Sequence, residues 1–154
     1  MGGNDPDLRT SIVIAAAAPR IFDLVAPVEN WATLLPHYRK VTIVRDGTDD
    51  KLANMAAWRG WIPVSWQSIV TAEPARPTIT FTHTAGFTRG MTVDWRFEPL
   101  SINPDQTRVT IVHHTATIPG RFRRWTIQLF VGQLFIDPIA RKTLARFKEL
   151  AEST

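Results

Sequence analysis

Alternation of apolar and polar side chains dominates the middle of the chain. In MTVDWRFEP, Met91, Val93, Trp95 and Phe97 fall on one side of an extended segment, and Thr92, Asp94, Arg96 and Glu98 on the other. PTITFTHT repeats the pattern, with Ile79, Phe81 and His83 opposed by threonines. TRVTIVHHT sets Val109, Ile111 and His113 against Arg108, Thr110 and His114, and Val112 interrupts the alternation. Residues 52–58 and 64–71 predict two further, less regular strands joined through RGWIP. Asp46-Gly47 and residues 74–77, 86–90 and 101–106 carry turn chemistry for the other connections. Strands so close together, with no helix between them, predict an antiparallel meander rather than βαβ units.

The two ends differ from the middle. Residues 9–15 (RTSIVIA) form a β-branched run that predicts a first strand, and Pro19 then opens a helix with Ile21, Phe22, Leu24 and Val25 on one face. VENWATLLPHY predicts one or two helical turns stopped by Pro36, and residues 41–44 return to strand. After Arg121 the pattern is helical. One helix over residues 123–149 would run ~40 Å and kink at Pro138, which cannot donate to the Leu134 carbonyl. Alternatively Asp137 caps a second helix with Pro138 at its first position, and Ala140, Leu144, Phe147 and Ala151 form its buried stripe. One bent helix is the preferred reading. A curved sheet is needed to cover it, so a cavity between helix and sheet is expected.

Composition narrows the classes. The 154 residues predict a single domain over 8–154, preceded by a loose polar tail over 1–7. There are no cysteines, which excludes disulfides, thiolate nucleophiles and Cys-ligated metals. Four histidines without paired ligand spacing predict neither a metal nor a cofactor. The net charge of +4 is a mild surplus, and no nucleic-acid-reading module accompanies it, so no nucleic-acid partner is expected. The longest apolar stretch, residues 125–136, contains Gln128 and Gln133 and falls short of the ~20 residues that span a bilayer. No signal-peptide pattern opens the chain, and a soluble, cytoplasmic protein is expected.

The segments IVIAAAAPRIFDLVAPVENWATLLPHYRKVTIV, GMTVDWRFEP and TLARFKELAE, in that order, span most of the chain. They resemble the START/Bet v 1-like (SRPBCC) superfamily and, within it, the polyketide cyclase/dehydrase branch. The Pro19 helix, Asn30-Trp31 and Tyr38 are the more specific points of likeness. The resemblance implies an α+β helix-grip fold: a seven-stranded antiparallel sheet curled around a long C-terminal helix, with two short helices between strands 1 and 2. It also implies a hydrophobic or aromatic small-molecule ligand. Two activities follow from it: aldol cyclisation and dehydration in an internal cavity, as in a lyase-type polyketide cyclase/aromatase, or non-catalytic binding and transfer of a lipid, quinone or isoprenoid. In similar aromatase/cyclases a tyrosine follows the Trp-containing helix, and Tyr38 stands there. Their W-x-S-x-R pattern reads Trp66, Ser68, Val70 in this chain, so valine replaces the arginine.

Aldol closure needs a base for an acidic C–H, a donor to the enolate and an acid to expel water. His83 and His113 share the face of Phe81, Trp95 and Ile111, so they are candidates for the acid–base work or, alternatively, hydrogen-bonded core histidines. Tyr38 is either a donor to a substrate carbonyl or a packing residue at the mouth. Ser68 either orients a ligand or fills space, and Arg59 is the candidate to replace the absent arginine. Trp66, Phe81 and Trp95 on the sheet, with Phe130 and Leu134 on the last helix, form the expected ligand wall. His37 and His114 are expected in solvent. Arg121, Arg123, Arg124 and Trp125 form a basic, aromatic start to the last helix, which is either a grip helix buried on most sides with the arginines in solvent or the site of a transient membrane-surface contact. The protein is expected to be a monomer or homodimer.

Overall fold

The computed structural model describes residues 8–86, 88–114 and 137–153. The elements in chain order are β1 (Leu8–Ile14), α1 (Ala18–Val25), a 3-10 turn (Val28–Asn30), α2 (Trp31–Leu34), β2 (Tyr38–Asp46), β3 (Lys51–Arg59), β4 (Ile62–Glu73), β5 (Thr78–Ala85), β6 (Thr92–Pro99), β7 (Thr107–His114) and α3 (Asp137–Glu152). The strands make one antiparallel seven-stranded sheet in the order β1-β7-β6-β5-β4-β3-β2. Every neighbour in chain order from β2 to β7 is a neighbour in space. Only β1 crosses to the far edge, where it pairs with β7. This is the helix-grip arrangement with a C-terminal helix packed on the sheet.

Period-2 patterning sets which residues point inward. On β6, Val93, Trp95 and Phe97 are buried and their neighbours are not. On β5, Ile79, Phe81 and His83 are buried, and on β7, Val109, Ile111 and His113 are buried. Gly60, at φ +60°, opens the two-residue loop that closes β3 on β4, where Arg59 pairs with Ile62.

The N-terminal helices are short because proline punctuates them. Pro19 sits in the first turn of α1, where its missing N–H leaves no bond unmade. Ala18, Ile21, Phe22 and Val25 form the buried face of α1, and Leu24 is only half-buried. Leu35 is extended at φ −112°, ψ 109°, as a residue before proline must be, and this ends α2 at Leu34.

Helix α3 buries Ala140, Thr143, Leu144, Phe147 and Ala151, the predicted stripe with Thr143 added. Polar ties hold it to the β1 edge. Thr10 Oγ1 donates to Asp137 Oδ1 at 3.3 Å, Lys148 Nζ donates to the Val13 carbonyl at 2.9 Å, and the Ala15 N–H donates to Glu152 at 2.8 Å. Asp137 also pairs with Arg141 one turn on, at 2.9 Å. The segment proposed to make α3 the second half of a bent helix, residues 123–136, lies outside the described residues, as does the tail over 1–7. Among the described residues no helix is long and apolar enough to cross a membrane.

Candidate functional site

The inward faces of β3 to β7 and the N-terminal half of α3 enclose a pocket of about 90 Å³. Six residues expected at the site line it: Tyr38, Trp66, Phe81, His83, Trp95 and His113. Trp31, Met55, Thr88, Met91 and Thr143 complete much of the wall and were not anticipated. Ser68 is fully buried on the same face of β4, behind the wall and directly across from His83. Arg59 shares the inward parity of Met55 and Ala57, but it lies at the end of β3 and does not line the pocket. Phe130 and Leu134 lie outside the described residues, as do Arg121, Arg123, Arg124 and Trp125.

Much of the space between helix and sheet is filled by rings. Trp31 projects from α2 to the centre, with ring centroids 5.3 Å from Tyr38, 5.6 Å from Phe81, 5.5 Å from Trp95 and 5.7 Å from Phe147. Its indole N–H donates to the Val25 carbonyl at 2.8 Å, which fixes the ring's orientation. The volume left over is well under the ~300 Å³ at which drug-sized pockets begin.

His83 is positioned by the loop that follows β5. Gly86 and Gly90 adopt φ +103° and +92°, a backbone region open to glycine. A Cβ on Gly86 would stand 3.1 Å from the Ser65 carbonyl oxygen, so the loop also needs glycine for its close approach to β4. The turn brings Thr88 inward, with its hydroxyl 2.6 Å from His83 Nδ1. The imidazole lies parallel to the Trp66 indole, with centroids 6.0 Å apart and 2° between planes. Burial lowers the His83 pKa to about 4.

His113 lies on β7 opposite Val93, and His83 N–H bonds to the Met91 carbonyl, so β6 runs between the two histidines. They share a face but not adjacent strands, a backbone separation of about 10 Å. Burial, then repulsion from His83, lowers the His113 pKa to about 3, against an opposing pull from the Leu8 backbone and Asp137. Its Nδ1 has no hydrogen-bond partner among the described residues, and neither does Ser68 Oγ. Such an unpaired buried group costs about 1–3 kcal/mol unless something supplies a partner.

Tyr38 is buried rather than set in water at the mouth, and its hydroxyl lies beside Thr143. Burial raises its pKa far above the usual phenol range, so the hydroxyl keeps its proton. Thr143 donates to the Ile139 carbonyl at 2.7 Å, and His37 Nε2 lies 2.8 Å from the same hydroxyl. His37 is therefore not solvated as expected: it is half-buried, and burial with the nearby Lys142 charge lowers its pKa to about 4. His114 does face outward, but it bonds to Asp94 Oδ2 at 2.8 Å instead of standing free in water. Among the described residues no group of three or more His, Asp or Glu side chains could hold a metal ion.

Similar structures share this architecture. The aromatase/cyclase Zhui from Streptomyces sp. R1128 is 18% identical with a TM-score of 0.74, over 95% of this chain and 93% of that one. The protein TTHA0849 from Thermus thermophilus is 18% identical with a TM-score of 0.77, over 97% of this chain and 100% of that one. A START superfamily protein from Mycobacterium smegmatis is 16% identical with a TM-score of 0.67, over 94% and 98%. No curated protein sequence matches the chain. The family described as polyketide cyclase/dehydrase and lipid transport matches residues 14–147, across every described element from the end of β1 to the middle of α3, and the chain belongs to that family.

Proposed function

We propose that the pocket binds a neutral, flat hydrophobic molecule carrying an oxygen substituent, in the manner of a polyketide cyclase. The observation that carries this reading is a pocket walled by rings and aliphatic side chains that His113 helps to line, with His113 Nδ1 buried and unpartnered. His83 already has Thr88, so His113 is the lining group left for a ligand to satisfy. A carboxylate does not suit the site: no lysine or arginine is among its described lining residues, and both imidazoles are neutral at pH 7.

The same protonation states bear on chemistry. A neutral imidazole can take a proton from a carbon between two carbonyls, with the electron pair passing to a carbonyl oxygen as the enolate. That carbon then bonds to a second carbonyl carbon, and water leaves. His113 is the candidate base by position, although its burial-lowered pKa makes it a weak one, and Tyr38, held protonated, is the candidate donor to the enolate oxygen. His113, charged by that step, returns the proton to the alkoxide that forms, and loss of the second hydrogen on the same carbon together with the new hydroxyl then releases water. If the protein accelerates closure of a poly-β-ketone surrogate, the first ring should dominate over the uncatalysed mixture, and His113→Leu should restore that mixture. A product distribution unchanged by the wild-type protein would refute catalysis.

Non-catalytic carriage of a lipid, quinone or isoprenoid is the second reading. Val70, buried where the similar pattern places arginine, favours it, because no guanidinium holds the enolate there. Binding itself is common to both readings. Phenol, toluene and benzoate are suitable probes for a pocket of this size, with affinity read by ligand-observed NMR. Phenol is expected to bind, and benzoate on the order of tenfold more weakly. His113→Leu should abolish the preference for phenol over toluene while keeping toluene. Benzoate binding as well as phenol, or a preference that survives in His113→Leu, would overturn the assignment.

A further inference from the structure

Six large hydrophobic side chains are exposed among the described residues. Val13, Val44 and Ile102 are scattered singly over β1, β2 and the β6–β7 turn. The other three lie on the β3–β4 hairpin: Trp58 is 40% exposed and Trp61 85%, both lining one groove, and Ile62, 36% exposed, points to the opposite face from Trp58. Isolated exposed apolar residues need no explanation, but a cluster led by a nearly bare tryptophan does.

The cluster sits in a basic setting. The Arg39 guanidinium lies 5.0 Å above the Trp58 ring. Across an open groove of about 810 Å³, Trp58 and Trp61 face Lys142 and Arg146 of α3. Among the described residues Glu149 is the one acid in that wall, and Arg146 neutralises it at 3.0 Å. His37 also lines the groove, and its bond to Thr143 reaches the wall of the ligand pocket. Groove and pocket are therefore the two sides of one thin partition.

We propose that this hairpin face docks on an anionic lipid surface. Trp61 enters the boundary between headgroups and acyl chains, where an indole places its apolar body and polar N–H in suitable surroundings. Arg39 and Lys142 face the headgroups, each cation adding to the attraction, while Arg146 is taken up by Glu149. A projecting two-residue tip suits a fluid phase better than a protein partner, which needs about 800 Å² of fitted surface on each side. Docking would bring the partition beside the pocket to the lipid. The proposal holds whichever ligand the pocket takes.

The test is co-sedimentation of the intact protein with phosphatidylcholine vesicles, with and without phosphatidylserine. Binding is expected only with phosphatidylserine and should weaken at high salt. Trp61→Ser should reduce the affinity on the order of tenfold without moving the thermal midpoint, since the side chain is exposed. Lys142→Glu should reduce the phosphatidylserine dependence. Two results would each overturn the proposal: Trp61→Ser sedimenting like the wild type, or a wild type that ignores the vesicles but is retained on an immobilised acidic peptide through Trp61. The second would assign the face to an acidic protein.

Discussion

Replacing Trp31 with alanine is expected to lower the unfolding free energy by about 3–5 kcal/mol, the usual range for a large buried aromatic. The ring is 2% exposed and touches four other rings, from α3, β2, β5 and β6, so its loss opens a gap that no single neighbour can close. Part of the cost is polar, because the Val25 carbonyl loses its indole donor. Urea denaturation measures the total, and Trp31→Phe separates the parts: it keeps a ring but no N–H, and should cost about 1–3 kcal/mol. The alanine variant should also accept larger rings than the wild type, since Trp31 occupies the middle of the helix–sheet space. A loss below about 1 kcal/mol would mean that the surrounding rings repack freely.

What could be read in advance followed burial on both sides of a strand. The sequences of β5, β6 and β7 sit inside the sheet, where alternation separates a core face from an outer one, and their inward residues were legible one by one, although Val112, buried on the outer face of β7, breaks the pattern. β2 was seen only over residues 41–44, although it runs from Tyr38 to Asp46. It is an edge strand, mostly exposed, and its pairing with β3 shifts between Tyr38 and Lys40 and again between Ile43 and Arg45. Each irregularity breaks the period on which the pattern depends. The stripe on α3 was visible because its spacing survives without tertiary information.

The site was half legible for the same reason. Parity placed His83 and His113 on the inner face, but no sequence period shows that β6 runs between them. Thr88 was invisible because loop geometry turns it inward, although the flanking Gly86 and Gly90 marked an unusual turn. Thr143 interrupts an apolar stripe, so it read as a gap, whereas the structure makes it the hydroxyl shared by His37, Ile139 and Tyr38. His37 follows a proline and looked like loop; only the packing of α3 over it reveals its burial.

Stability is expected to fall as the pH is lowered from 7 to 5, and the buried histidines set the direction. His83 and His113 titrate at 6.5 when unfolded, but at about 4 and about 3 when folded. Above pH 6.5 both states hold neutral rings, so these groups contribute no pH dependence. Between that value and the folded pKa the unfolded chain binds protons that the folded chain refuses, so acid favours unfolding. At pH 5 this costs about 2 kcal/mol for each imidazole, and less than the simple sum for the pair, because His83 is one cause of the His113 shift. His37 adds in the same direction, reduced by its partial exposure. Carboxylates ordinarily titrate near 4, mostly below this window, so the loss between pH 7 and 5 reports chiefly on histidine. Urea midpoints at both pH values measure it, and His113→Leu should remove less than half of the fall, since His83 and His37 remain, while sparing the neutral-pH fold, since it also deletes an unpaired polar atom. Equal midpoints at pH 7 and 5 would mean that the rings take up protons inside the folded protein. Water would then reach His83 and His113, and the burial that lowers both pKa values would be refuted.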